Sequence, residues 1–334
     1  RQYPSLVKYM QKNIAFILLL MTPFWSFASE DKAIEEFTLN DQQILLASEI
    51  LDTLESNHLI KKDYASIRHE SFEVFIDRLD PNKTIFTSEE LDSLLVHADE
   101  NIDLEKDLEL AFKLFNLYVS RYQERYQRQI EFLNTAQTES FDTPRALLRD
   151  LSEIERLSSL DDLNALWVDL STNDVIQLML SGNTLEEAIT KTIKRMDNQL
   201  NYFLQTRNED VFNIFVNAIA SIYGPHTNYM SPKNSEDFDI NMSLSLEGIG
   251  ALLSSDGLYT SISSLVPGGP AEKTESLKPK DKIIGVGQDE FGEIIDVIGW
   301  RIDDVVDLIR GPKGSKVRLL SLIHISEPTR LSTI

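Results

Sequence analysis

The chain has 334 residues, a formal net charge of −22, no cysteine, and apolar side chains at 42% of positions, enough to bury the cores of two or more domains. Excess acid without clustered Lys and Arg argues against nucleic acid as a partner. With no cysteine there is no disulfide framework, thiolate zinc site or cysteine nucleophile.

The first stretch reads as an export signal. Met10 to Asn13 carries a cation, Ile14 to Met21 is apolar, and Ser26-Phe27-Ala28 supplies small residues at the cleavage positions. Pro23 interrupts a run shorter than the about 20 apolar residues that span a membrane. On this reading residues 10–28 are a signal peptide and residues 1–9 are upstream translation, and export would remove Arg1, Lys8 and Lys12 but no acid.

From residue 29 to about 240 the pattern predicts an all-α domain. Asn40 with Gln43, Thr87 with Glu90, Thr143 before Pro144, and Thr184 with Glu187 mark helix starts. Glu105 to Leu133 is the longest helical run, and its stripe of Leu108, Phe112, Phe115, Tyr118, Tyr122 and Tyr126 suits a core. A further helix, Glu209 to Tyr223, stops at Gly224-Pro225. The histidines lack metal-ligand spacing. Asp80-Pro81-Asn82-Lys83-Thr84 opens like a calcium loop, but Ile85 stands where the loop needs Gly and Leu91 where it needs Glu, so a turn before the next helix is expected. No metal and no cofactor is implied.

The pattern then changes to short strands. Glu247-Gly248-Ile249-Gly250 precedes the apolar Ala251 to Leu253, a composition suited to a loop whose backbone N–H groups hold an anionic chain end. The strand after it would offer an edge for strand addition. A second strand, Leu258 to Val266, closes on Pro267-Gly268-Gly269-Pro270, and Ala271 to Ser276 forms a short helix. Asp281 to Val286 is a buried-type strand, and Gly299 to Arg310 a helix with the stripe Ile302, Val305, Val306 and Ile309. Leu246, Gly248, Ile249, Gly250, Leu252, Val305, Val306 and Ile309 are the candidate peptide-binding residues, the apolar ones walling a pocket for the last side chain.

Ser243 to Gly250, the Pro267 to Ala271 turn, Asp281-Lys282-Ile283, Asp296 to Arg301 and Arg310 to Val317 resemble the PDZ domain of the tail-specific proteases, the periplasmic carboxy-terminal processing peptidases of Gram-negative bacteria. Pro225 to Pro232 resembles the segment leading into that domain, although Gly224 stands where the family usually has Asp. The resemblance is close over Asn208 to Leu319 and loose before it. It implies an all-α amino-terminal domain at residues 29–240 and a β-rich α+β PDZ domain at 241–319 that binds carboxyl termini of unfolded or envelope proteins. It further implies a periplasmic location, a lipoprotein adaptor met by the helical part, and a serine–lysine catalytic pair on a separate α/β domain. No residue here matches that catalytic motif, so no catalytic residue is named. Residues 320–334 depart from the family pattern and read as a translated sequencing adapter, which would leave the PDZ domain truncated inside a strand. The alternative is a non-enzymatic periplasmic PDZ adaptor.

Overall fold

The computed structural model describes residues 36–96, 103–142, 154–242, 248–311, 314–322 and 330–333. The signal-type stretch, the Thr143-Pro144 start and Leu246 lie outside them.

Nine helices among the described residues form the first part: α1 (Asp41–Asn57), α2 (Tyr64–Leu79), α3 (Ser88–Leu95), α4 (Leu104–Thr135), α5 (Glu139–Asp142), α6 (Leu160–Leu180), α7 (Leu185–Phe203), α8 (Asn208–Tyr223) and α9 (Pro232–Met242). Three expected starts are reciprocal capping boxes. At α3, Glu90 N–H donates to Thr87 Oγ1 at 3.1 Å while Thr87 N–H donates to Glu90 Oε2 at 2.9 Å. The same exchange joins Asn40 to Gln43 and Thr184 to Glu187, each box contributing about 1 kcal/mol.

Aromatic packing holds these helices together. Phe72 and Phe75 of α2 meet Phe215 of α8 with ring centroids 5.1 and 5.3 Å apart. The α4 stripe is core on its amino-terminal side, where Phe112 and Phe115 are buried, and Tyr122 stacks on Phe203 at 4.1 Å. Asp80 has a structural task. Its buried carboxylate accepts from the N–H groups of Thr84, Ile85 and Phe86 at 2.7–3.1 Å and pairs with Arg156. These partners occupy its oxygens and fix the turn before α3.

The second part is one antiparallel sheet with two helices. β1 (Ala251–Asp256) and β2 (Tyr259–Leu265) form a hairpin, followed by α10 (Pro270–Lys273), β3 (Lys282–Gln288), β4 (Ile294–Asp296), α11 (Ile302–Ile309), β5 (Val317–Leu322) and β6 (Arg330–Thr333). The strand order is β1-β2-β3-β5-β6, with β4 paired to β3. β1 is therefore an edge strand. The core gathers Ile249, Ile262, Ile283, Val286, Val305, Ile309 and Leu319, among others, between sheet and α11.

Strand β5 runs to Leu322 and pairs with β3 from Lys282↔Leu322 to Gln288↔Val317, and β6 pairs with it in turn. The reason is alternation: Val317, Leu319 and Ser321 all face inward, so the two-residue period carries past Leu319.

Candidate peptide-binding site

The loop before β1 takes its shape from two glycines. Gly248 and Gly250 have φ of 142° and 72°, values that side chains with a Cβ rarely adopt. The carbonyls of the loop are committed elsewhere: Ala271 N–H donates to Ile249 O and Val266 N–H to Gly250 O, both at 2.8 Å. Its amides are not. Among the described residues, the N–H groups of Gly248, Ile249 and Gly250 have no acceptor. Among the described residues, then, three donors at the mouth of an edge strand are without an acceptor, an arrangement suited to a carboxylate, whose oxygens accept only.

Beside that edge lies α11, running antiparallel to β1. At one end the Arg310 stem sits 3.9 Å from where a Cβ on Gly248 would be. At the other, Gly299 N–H donates to Leu258 O at 2.7 Å, just beyond β1. Among the described residues no strand pairs with the outer side of β1, and α11 lies beside it as a wall, the layout that strand addition requires.

The structure brings the Gly248–Gly250 loop together with Val305 and Ile309 through Ile249. Ile249, Val305 and Ile309 are buried in one cluster, and Val306 is half-buried on the same helix. Leu252 does not join them. It is 61% exposed, because successive strand residues alternate faces and the inward positions belong to Ala251 and Leu253. The sequence contained that signal in the period Ile249, Ala251, Leu253. Arg310 is not among the candidates the sequence offers, and its place beside Gly248 depends on how α11 lies across the loop.

The amino-terminal end of α11 is tied to the helical part. Arg301 donates to Asp210 at 2.5 Å and to Gln205 O at 3.3 Å, and Gln205 Nε2 donates to Gly299 O at 3.1 Å. Arg207 pairs with Asp304 and Lys233 with Asp307. The helix that walls the groove is thus also the helix that meets the platform.

Fold and site together define a helical platform carrying a PDZ domain. Residues 50–233 match the family model of the tail specific protease N-terminal domain, and residues 237–322 match that of the PDZ domain. The chain belongs to the tail-specific protease family. The tail-specific protease of Haemophilus influenzae is 38% identical over 257 residues, 74% of this chain and 36% of that protein. The carboxy-terminal processing protease CtpA of Bacillus subtilis is 32% identical over 158 residues, 47% of this chain and 32% of that protein. The crystallised PDZ domain of a carboxy-terminal protease from Vibrio cholerae, in complex with peptide, is 55% identical over 27% of this chain and 92% of that one, with a TM-score of 0.26. The chain spans about a third of the length of the curated relatives it matches.

Proposed function

We propose that this chain is the substrate-recognition part of an exported serine endopeptidase that acts on proteins from their carboxyl termini in the periplasm. The observation that carries the reading is the trio of amides at Gly248, Ile249 and Gly250, without an acceptor among the described residues and placed where the edge strand β1 begins. A tail adds to β1 as an extra strand, its terminal carboxylate accepts from the three amides, and its last side chain packs toward Ala251, Val305, Val306 and Ile309. Arg310 stands beside the loop as a cation of the sign such a carboxylate favours.

Charge-assisted hydrogen bonds contribute about 1.5–3 kcal/mol each in gross terms, and burial of one aliphatic side chain about 1.5–3 kcal/mol. Ordering a flexible tail offsets much of this. The net is about −5 to −8 kcal/mol, or a Kd of about 10⁻⁴ to 10⁻⁶ M, which suits a reader of many tails. The acidic net charge opposes association at long range, so binding should speed up with added salt.

The test is a fluorescence-anisotropy titration with a labelled peptide ending in small apolar residues, run beside its carboxyl-amidated twin. The free acid should bind at least about tenfold more tightly, which is 1.4 kcal/mol. Equal affinities would contradict the reading.

A further inference from the structure

A tail seated on β1 has a direction. With its carboxylate at Gly248 to Gly250, where β1 begins, it runs antiparallel to β1 and leaves the groove near Asp256, at the end where α11 starts. β1 is six residues long, about 20 Å at about 3.3 Å per residue, so roughly the last six residues of a tail fill it.

At that end the first turn of α11 borders a second space. Arg301, Ile302 and Asp303 face the platform across a cavity of about 460 Å³ whose lining includes Phe115, Tyr118 and Phe203. One polar group in its lining lacks a partner and a second has donors to spare. Among the described residues, Asn213 Oδ1 is buried with no hydrogen-bond donor. Arg78 makes one long bond, to Ile214 O at 3.4 Å, and among the described residues has no carboxylate partner. By contrast Arg68, Arg121, Arg156, Arg207 and Arg301 each have one. One peptide unit suits both groups, since its carbonyl accepts from a guanidinium and its N–H donates to an amide oxygen.

We propose that this cavity is a second subsite for the same polypeptide, receiving the extended segment just upstream of the residues on β1. A main-chain amide of that segment lies between Arg78 and Asn213, and an apolar or aromatic side chain rests on Phe115, Tyr118 and Phe203. The inference rests on the tail-binding reading of β1. It adds a length requirement: tails that end within β1 do not reach the cavity, and longer ones do.

The experiment is competition against a labelled short tail on the purified 334-residue chain. The competitors are unlabelled peptides of about 5 and about 12 residues with the same last residues, the longer carrying an aromatic side chain upstream. The longer peptide should bind about tenfold more tightly than the shorter, the gain of one or two net hydrogen bonds with some apolar burial. In Arg78→Ala, an exposed position whose replacement keeps the platform folded, the ratio of the two affinities should fall to about one. Equal affinities for the two lengths in the unsubstituted chain would overturn the subsite while leaving tail binding in place. A length gain unchanged in Arg78→Ala would overturn it as well. Indifference of the short peptide to carboxyl amidation would instead remove the reading of β1, and the subsite with it.

Discussion

Gly250 and Gly269 meet backbone to backbone. A Cβ built on Gly250 would lie 3.1 Å from Gly269 Cα, and one built on Gly269 would lie 3.3 Å from Gly250 Cα and 2.9 Å from Val266 O. The loop before β1 and the turn after β2 are therefore one unit. The turn after β2 and the start of α10 hold the carbonyl side of the loop, through Val266 N–H to Gly250 O and Ala271 N–H to Ile249 O.

Substitutions at the two glycines should separate shape from stability. Gly250→Val adds a branched side chain at φ of 72°, and should weaken tail binding at least about tenfold. Gly269→Ala has an ordinary φ but must displace the Val266 carbonyl, and should cost about 1–3 kcal/mol of stability. Peptide titration reads the first and urea unfolding the second. Full binding by Gly250→Val would show that the loop does not shape the site.

The platform docks the groove helix through partly exposed charges. Arg301 is 25% and Asp210 34% exposed, so the pair is worth at most about 1 kcal/mol and is screened by salt. Arg301→Ala should raise amide hydrogen exchange at the start of α11 and bring unfolding of the PDZ domain ahead of that of the platform. High salt should have the same effect on the unsubstituted chain. Unaltered exchange in both cases would mean that apolar packing, rather than these charges, holds the two parts together.

Alkaline pH should unfold the platform first. Tyr64, Tyr118 and Tyr126 all have phenols pushed well above their ordinary value, chiefly by burial. Asp107 beside Tyr64 adds to the effect there, and Tyr122 beside the other two. The native state thus keeps protons that the unfolded chain releases above about pH 10. Stability from these groups is fully present below about pH 10 and falls above it, by about 1.4 kcal/mol per pH unit for each group. Denaturation midpoints followed by circular dichroism between about pH 8 and 11.5 should be flat and then drop. A flat profile throughout would contradict the burial of these phenols.

How much of this was legible beforehand differs by element. The capping boxes at Asn40, Thr87 and Thr184 are local hydrogen-bond exchanges three residues apart, so the sequence displays them directly. The helix Ile302–Ile309 was legible for a similar reason, since its stripe repeats at helical spacing. That Leu252 faces away from the core was not legible in β1 alone, because a run of three apolar residues does not show which parity faces inward; the pairing of β1 with β2, and its bulge at Leu252/Leu253, decides that. β4 escaped notice as only three residues, Ile294–Asp296, held by pairing to β3. The cavity at Arg78 and Asn213 was not legible at all, because its walls come from helices far apart in sequence.

Ser321 stands out within the sheet. It is fully buried in β5, and among the described residues its Oγ has no hydrogen-bond partner. An inward position that follows Val317 and Leu319 suits an apolar residue. Ser321→Ala should therefore raise stability by about 1 kcal/mol, read as a higher urea midpoint with unchanged m-value. Loss of stability would show that the hydroxyl is satisfied in solution.

On the proposed function, the three amides at Gly248, Ile249 and Gly250 hold a terminal carboxylate. A ¹H–¹⁵N correlation titration observes those amides one by one. With a free-acid peptide their proton resonances should move downfield together and saturate at the affinity found by anisotropy. With the amidated twin at equal concentration they should stay near their unbound positions. Equal shifts of these amides with both peptides, or shifts confined to α11 and β1 while the three amides stay still, would contradict the account.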